Sequence, residues 1–339
     1  MTLTPRERQL ATIRRQPVDR VSLDVIGIEI VPQIAEHLGI APEAVYDRLG
    51  IDGRIVAAPY TGAPPVAGVD AWAAGGWEDY GTAHHYPLGS ASVADVERHP
   101  WPDPADHDYA AAAAAATVLG RTHAVRGPYW MPLFCRVCSL TGMENALVAM
   151  LAQPAVFEAA LEAVFARTLE YCERLLDACG DAMPILCLGD DFATQRGLLM
   201  APEQWRQYLK PRFARLFEAG KRRGKLVWFH SCGDITAILP DLIDIGVDVW
   251  ETVQLHTLPF TPEALKREFG ARVTFFGGVN TQRLPFISPE EVRAEVCACI
   301  QALGRGGGYI CGPDHHIKPD VPVANAIALF EAAKACAAG

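Results

Sequence analysis

The sequence predicts a (β/α)8 barrel, and three observations carry that expectation. Eight short apolar, strand-like runs recur along the chain, and most are followed by a helical pattern. No glycine-rich phosphate turn follows the first run, which sets aside the runner-up, an open doubly wound sheet. The runs cover residues 21–27, 54–59, 123–130, 183–188, 225–229, 247–253, 273–277 and 308–311. No internal repeat and no linker interrupts them, so residues 1–339 are expected to form one domain, with helical and loop additions at the N-terminus.

The intervening segments follow in order. Residues 61–104 are rich in Gly, Pro, Trp and His and lack periodicity; they read as an irregular insertion over one end of the barrel, packed down by Trp72, Trp77 and Trp101. The alanine run 110–116 reads as a helix. Trp205, Leu209, Phe213 and Phe217 recur every four residues on a further helix, which Pro211 should kink. Asp234 is placed to cap a helix bearing Ile235, Ile238, Leu239, Leu242 and Ile243 on one face and stopped by Gly246. Ser288-Pro-Glu-Glu291 combines a capping box with Pro at the first helical position, and Val292, Val296, Ile300 and Leu303 then form a buried stripe.

Composition limits the function classes. Half the 339 residues are hydrophobic and 21% are charged, which suits a globular protein with a large core. A net charge of −10 argues against nucleic acid and anionic membranes as partners. The first residues have no apolar leader and no 18-residue apolar span occurs, so a cytoplasmic protein is expected. The ten cysteines are scattered, mostly within apolar runs, and read as reduced thiols rather than a disulfide framework.

His230-Ser-Cys-Gly233 closes the fifth run and is the most informative motif. Residues i and i+2 of a strand point to the same side, so the His230 imidazole and the Cys232 sulfur can converge on one point as a zinc-type ligand pair. Gly233 lets the chain turn sharply afterwards. Two ligands do not make a site, and a small buried Cys beside a strand-end His is the bland alternative. In barrels of this class the site lies at the C-terminal strand ends. Those ends carry Asp190 and Asp191, then His230 and Cys232, Glu251, Asn280, and finally Asp314, His315 and His316. Acids and imidazoles at one rim suit a metal or general acid/base work, although Asp190 or Asp191 could equally cap the next helix. For a third metal ligand His315 is favoured and Glu251 stands second, with Cys311 and His316 also considered. Three protein ligands and one open position describe a catalytic zinc. Cys135-Arg-Val-Cys138 and His84-His85 lack the second pair or the context that would make either a site.

Several stretches resemble the uroporphyrinogen decarboxylase superfamily. They are Leu10-Ala-Thr-Ile-Arg-Arg-Gln-Pro-Val-Asp-Arg20, Trp101-Pro-Asp-Pro104, the segment from Asp190 to Glu203, Phe229-His-Ser-Cys-Gly233, and Gly306-Gly-Gly-Tyr through Pro319-Asp-Val-Pro322. The resemblance implies a distorted (β/α)8 barrel and divides into porphyrinogen decarboxylases and zinc-dependent methyltransferases. The decarboxylases carry arginines in an opening segment where this chain has Leu23-Asp-Val-Ile-Gly-Ile-Glu-Ile30, with Asp24 and Glu29 instead. An acidic rim there would repel a polycarboxylate. The methyltransferase branch uses His-x-Cys after one strand and a Cys after the last; His230 and Cys232 match the first part, and His315 stands where the last Cys would be.

The resemblance therefore implies a zinc-dependent methyltransferase, with Zn²⁺ on His230, Cys232 and His315, and Asp190, Asp191 and Glu251 positioning or deprotonating a thiol, corrinoid or similar small acceptor. Asp24, Glu29, Gln195, Arg196 and Asn280 are the expected substrate contacts. The methyl donor would be a methylcorrinoid on a partner protein, with a homodimer allowed. Two rivals remain: a metal-free lyase acting on a porphyrinogen or other carboxylate, for which Arg136 and Arg196 are the evident cations, and a non-catalytic corrinoid- or tetrapyrrole-binding protein.

Overall fold

The computed structural model describes residues 2–62 and 86–336. All eight apolar runs form parallel strands: β1 (Ser22–Leu23), β2 (Gly53–Ile55), β3 (Ala124–Pro128), β4 (Ile185–Gly189), β5 (Leu226–His230), β6 (Val249–Val253), β7 (Thr274–Val279) and β8 (Tyr309–Pro313). The ladder runs β1-β8-β7-β6-β5-β4-β3-β2, so β1 and β2 meet at the seam. There the Asp52 amide donates to the Leu23 carbonyl, and the buried Asp52 carboxylate accepts from the Leu23 amide and from Ser22 Oγ. The result is a nearly closed (β/α)8 barrel, as the sequence predicts.

Period-two alternation sorts the strand residues into two cores. Ala124, Ile185, Cys187, Trp228, Val249, Phe276 and Ile310 pack inside the barrel. Val125, Leu186, Leu188, Val227, Phe229, Trp250 and Phe275 face outward into the larger core beneath the helices. Two residues beyond Ala124, Trp228 and Val249 along their strands stand Arg126, His230 and Glu251. The same parity that fills the barrel floor with apolar groups thus places charged groups in the layer above it.

The lower end is closed by the first helix, Pro5–Ile13, whose Ile13 joins the inner core. Thr4 caps it through a capping box with Glu7. Its Arg8 reaches Asp19 at 2.6 Å and Asp52 at 2.7 Å, and Arg20 reaches Asp52 at 2.9 Å. The Pro-Val-Asp-Arg20 motif therefore ties the first helix to the barrel seam.

The helices largely follow expectation. Tyr109–Leu119 contains the alanine run. Pro202–Tyr208 and Lys210–Lys221 break at Leu209, just before Pro211, and bury Trp205, Leu209, Phe213 and Phe217. Pro289–Leu303 starts at the Ser288 capping box. One helix is shorter than expected: Leu239–Asp244 begins five residues after Asp234, because that carboxylate folds back onto the Thr236 amide and hydroxyl. In the 61–104 insertion, 93–98 form a helix capped by Ser92, and Trp101 packs under the Arg167 guanidinium. Trp72, Trp77, His84 and His85 lie outside the described residues.

Two further departures matter. β8 continues two residues past the 308–311 run, through Gly312 and Pro313. Only glycine fits at 312, since a Cβ there would lie 2.3 Å from the carbonyl oxygen of Asp24, the residue after β1. Cys297 and Cys336 form a disulfide, with Cα atoms 5.8 Å apart, rather than two reduced thiols. Packing of helix Val323–Ala335 along Pro289–Leu303 brings them together. Among the described residues, no single helix is long and apolar enough to cross a membrane.

Candidate metal centre and the barrel mouth

β5 and β6 build the centre. Their register sets His230 beside Glu251, both fully buried and both pointing into the barrel. The Glu251 carboxylate accepts from His230 Nδ1 at 2.8 Å and from the Trp228 indole N–H. A carboxylate can only accept, so Nδ1 carries the proton, and Nε2 is the ring nitrogen that faces Cys232. Burial alone would raise the Glu251 carboxyl, but the His230 hydrogen bond, with the charges of His230 and Arg126, holds it below its usual value.

Cys232 Sγ lies 3.5 Å from His230 Nε2. A tetrahedral zinc with ordinary bond lengths would hold a sulfur and an imidazole nitrogen roughly 3.6 Å apart, so the pair fits such an ion. The turn after Cys232 needs Gly233, which has φ +79° and lies under the Thr194 carbonyl. The third donor comes from the segment after β8: the donor atoms of His230, Cys232 and His315 all lie within 4.8 Å of one another. Burial, helped by the neighbouring imidazoles, holds His315 down to about 3, which keeps it neutral and able to ligate. Glu251 is occupied behind His230, and Cys311 is fully buried in the outer core.

The adjacent acids diverge. Asp191 Oδ1 accepts the Cys232 amide at 2.7 Å and lies 3.8 Å from His230 Nε2. Asp190 turns away and is fully buried. Its two oxygens accept the amides of Leu133, Phe134 and Cys135 at 2.9, 2.6 and 2.9 Å, at the start of helix Phe134–Thr141. Asp190 thus holds the start of a helix that precedes it in the chain, rather than the loop leading to the next helix. Asp190→Ala would orphan those three donors, and a loss of about 3 kcal/mol in urea unfolding is expected.

Most expected substrate contacts lie elsewhere. Asp24 is not on the rim. It is buried inside the barrel, bonded to Arg126 Nη1 at 2.6 Å and to Gln9, because the interior parity of β3 presents a guanidinium to it. Glu29 is exposed and pairs with Lys318 at 2.7 Å. Gln195 and Arg196 sit at the exposed tip of the small hairpin formed by Ala193–Thr194 and Gly197–Leu198. The side chain of Asn280 accepts the Gln282 amide, and its backbone amide donates to Glu295. Cys135 and Cys138 are free thiols buried in their helix, and burial pushes both thiols up, away from the thiolate form.

Sequence reasoning missed Arg126. It is fully buried, and its guanidinium lies 4.6 Å above the Trp228 ring whose N–H holds Glu251. Burial works against its charge, but Asp24 and Glu251 hold its pKa above the ordinary value. A lone arginine at inward parity within an apolar run was the available signal.

The family model described as "Uroporphyrinogen decarboxylase (URO-D)" matches residues 42–336. The chain belongs to the uroporphyrinogen decarboxylase (URO-D) family. A protein named "Methylcobamide:CoM methyltransferase MtaA" from Methanosarcina barkeri (strain Fusaro / DSM 804) is 26% identical over 178 residues, covering 52% of this chain and 48% of the relative. A second protein of that name from Methanosarcina barkeri is 25% identical over the same length and coverage. The chain thus matches about half the length of these relatives. A solved "methyltransferase from Methanosarcina mazei" superposes with TM-score 0.65 at 20% identity, covering 98% of both chains, and supports the fold.

Proposed function

We propose that this URO-D family protein is a zinc-dependent methyltransferase that moves a methyl group to a small thiol acceptor. The observation that carries the reading is the convergence of His230, Cys232 and His315 donor atoms within 4.8 Å, with Glu251 locking the His230 ring from behind. The names of the two Methanosarcina barkeri relatives support the reaction class and suggest a methylcorrinoid, carried by a partner protein, as donor.

Zinc bound there would lower the pKa of an acceptor thiol in its open position. The chain's own groups do the rest. Glu251 and Trp228 fix the His230 ring, and Asp191 anchors the Cys232 amide and stands ready to take the thiol proton. The acceptor sulfur then gains the methyl group: the C–S bond forms as the donor's bond to carbon breaks, and that electron pair stays with the donor.

Asp191→Asn keeps an acceptor for the Cys232 amide but cannot take a proton. It is expected to retain zinc while losing about 10²- to 10⁴-fold in turnover. The test of the function is zinc-dependent demethylation of methylcob(III)alamin in the presence of thiols, followed by absorbance. Turnover should vanish with a chelator and in Cys232→Ala; equal turnover in that variant would contradict the proposal. Uroporphyrinogen is expected to remain unconverted, because no Arg or Lys lines the large cavity of the mouth among the described residues. Stepwise carboxyl loss at an enzymatic rate would favour the lyase instead.

A further inference from the structure

Beside the metal centre the mouth opens into a cavity of about 480 Å³, within the range of roughly 300–1,000 Å³ usual for small-molecule sites. Two of its aromatic lining residues adjoin the centre. The Tyr129 and Trp130 rings lie 5.8 and 5.4 Å from the His230 ring, centroid to centroid. His316, the neighbour of His315, also lines it. Ile26, Ile55, Met131 and Tyr171 supply much of the remainder.

The chemistry of this lining is uniform. Among the described lining residues there is no Asp, Glu, Lys or Arg. Its two imidazoles are His316 and His107, and His107 Nδ1 lies 3.2 Å from the Pro104 carbonyl oxygen. The Tyr171 hydroxyl is spent on the Ala58 backbone, accepting its amide at 2.9 Å. Lys318, two residues along the chain from His316, is paired with Glu29 at 2.7 Å.

We propose that the acceptor is a thiol with an uncharged, aromatic or alkyl body, which lies against Tyr129, Trp130 and Ile55 while its sulfur faces His230, Cys232 and His315. This rests on the zinc–thiol function above and names the substrate class of that site. An anionic body would lie against described lining residues that offer no Lys or Arg and would lose its hydration, whereas an apolar body gains by leaving water.

The test is calorimetric, on the full chain in zinc-loaded and metal-depleted forms. Phenylmethanethiol should bind the zinc-loaded protein at least about 10-fold more tightly than 2-mercaptoethanesulfonate. In the metal-depleted protein phenylmethanol should bind and 2-hydroxyethanesulfonate should not. Ala57, an exposed lining residue, tolerates a larger side chain, and Ala57→Arg should cut the preference at least about 10-fold by supplying the missing cation. Equal or tighter binding of either sulfonate to the wild-type protein would overturn the proposal, as would an unchanged preference in Ala57→Arg. Failure to take up zinc with phenylmethanol still bound would sink the zinc reading and leave the apolar subsite standing.

Discussion

Cys232→Ala and His230→Ala are each expected to abolish zinc binding, and His315→Ala to weaken it by roughly 10-fold or more. His315→Cys should retain the metal, because thiolate is an equally suitable zinc donor. Glu251→Gln, which still occupies the space behind His230 but no longer offers a charged acceptor, should weaken zinc by about 10- to 100-fold. His316→Ala should leave the metal in place, since His316 turns to the apolar cavity and away from the donor cluster. Competition with a chromophoric chelator measures all six. Full zinc affinity in His315→Ala, with loss in Cys311→Ala, would reassign the third ligand.

The second large effect is on stability. Arg126→Met should destabilise the fold by about 3–5 kcal/mol, because it leaves the Asp24 carboxylate buried without its partner. The double variant Arg126→Met/Asp24→Asn removes both charges and should recover part of that loss. Urea unfolding of the two variants measures the difference. If the single variant cost no more than the double, the Arg126–Asp24 pair would not be what satisfies the charge inside the barrel. Because Arg126 also covers Trp228, the single variant should loosen the support of Glu251 as well.

The barrel was legible because each strand keeps its apolar period. The 225–229 run alternates Val227 and Phe229 outward with Trp228 inward, so the same count carries His230 into the mouth and Cys232 after it. The His-x-Cys convergence needed only local geometry. Long-range pairings were less legible. Asp24 meets Arg126 across 102 residues, and neither shows a partner in its own segment, so Asp24 read as a rim acid. Asp190 and Asp191 are chemically identical neighbours, and only the placement of helix Phe134–Thr141 separates a cap from a site residue. Glu251 reads as a catalytic base or a ligand until the β5–β6 register shows that His230 already uses it. The Cys297–Cys336 pairing depends on how the last two helices pack, which no local pattern reports.

The metal content of the wild-type protein, purified without a histidine tag and without added metal, tests the central claim most directly. Elemental analysis should find close to one zinc per chain, falling to background in Cys232→Ala. Carefully prepared wild-type protein that carries no transition metal, and binds none on addition of zinc, would contradict it.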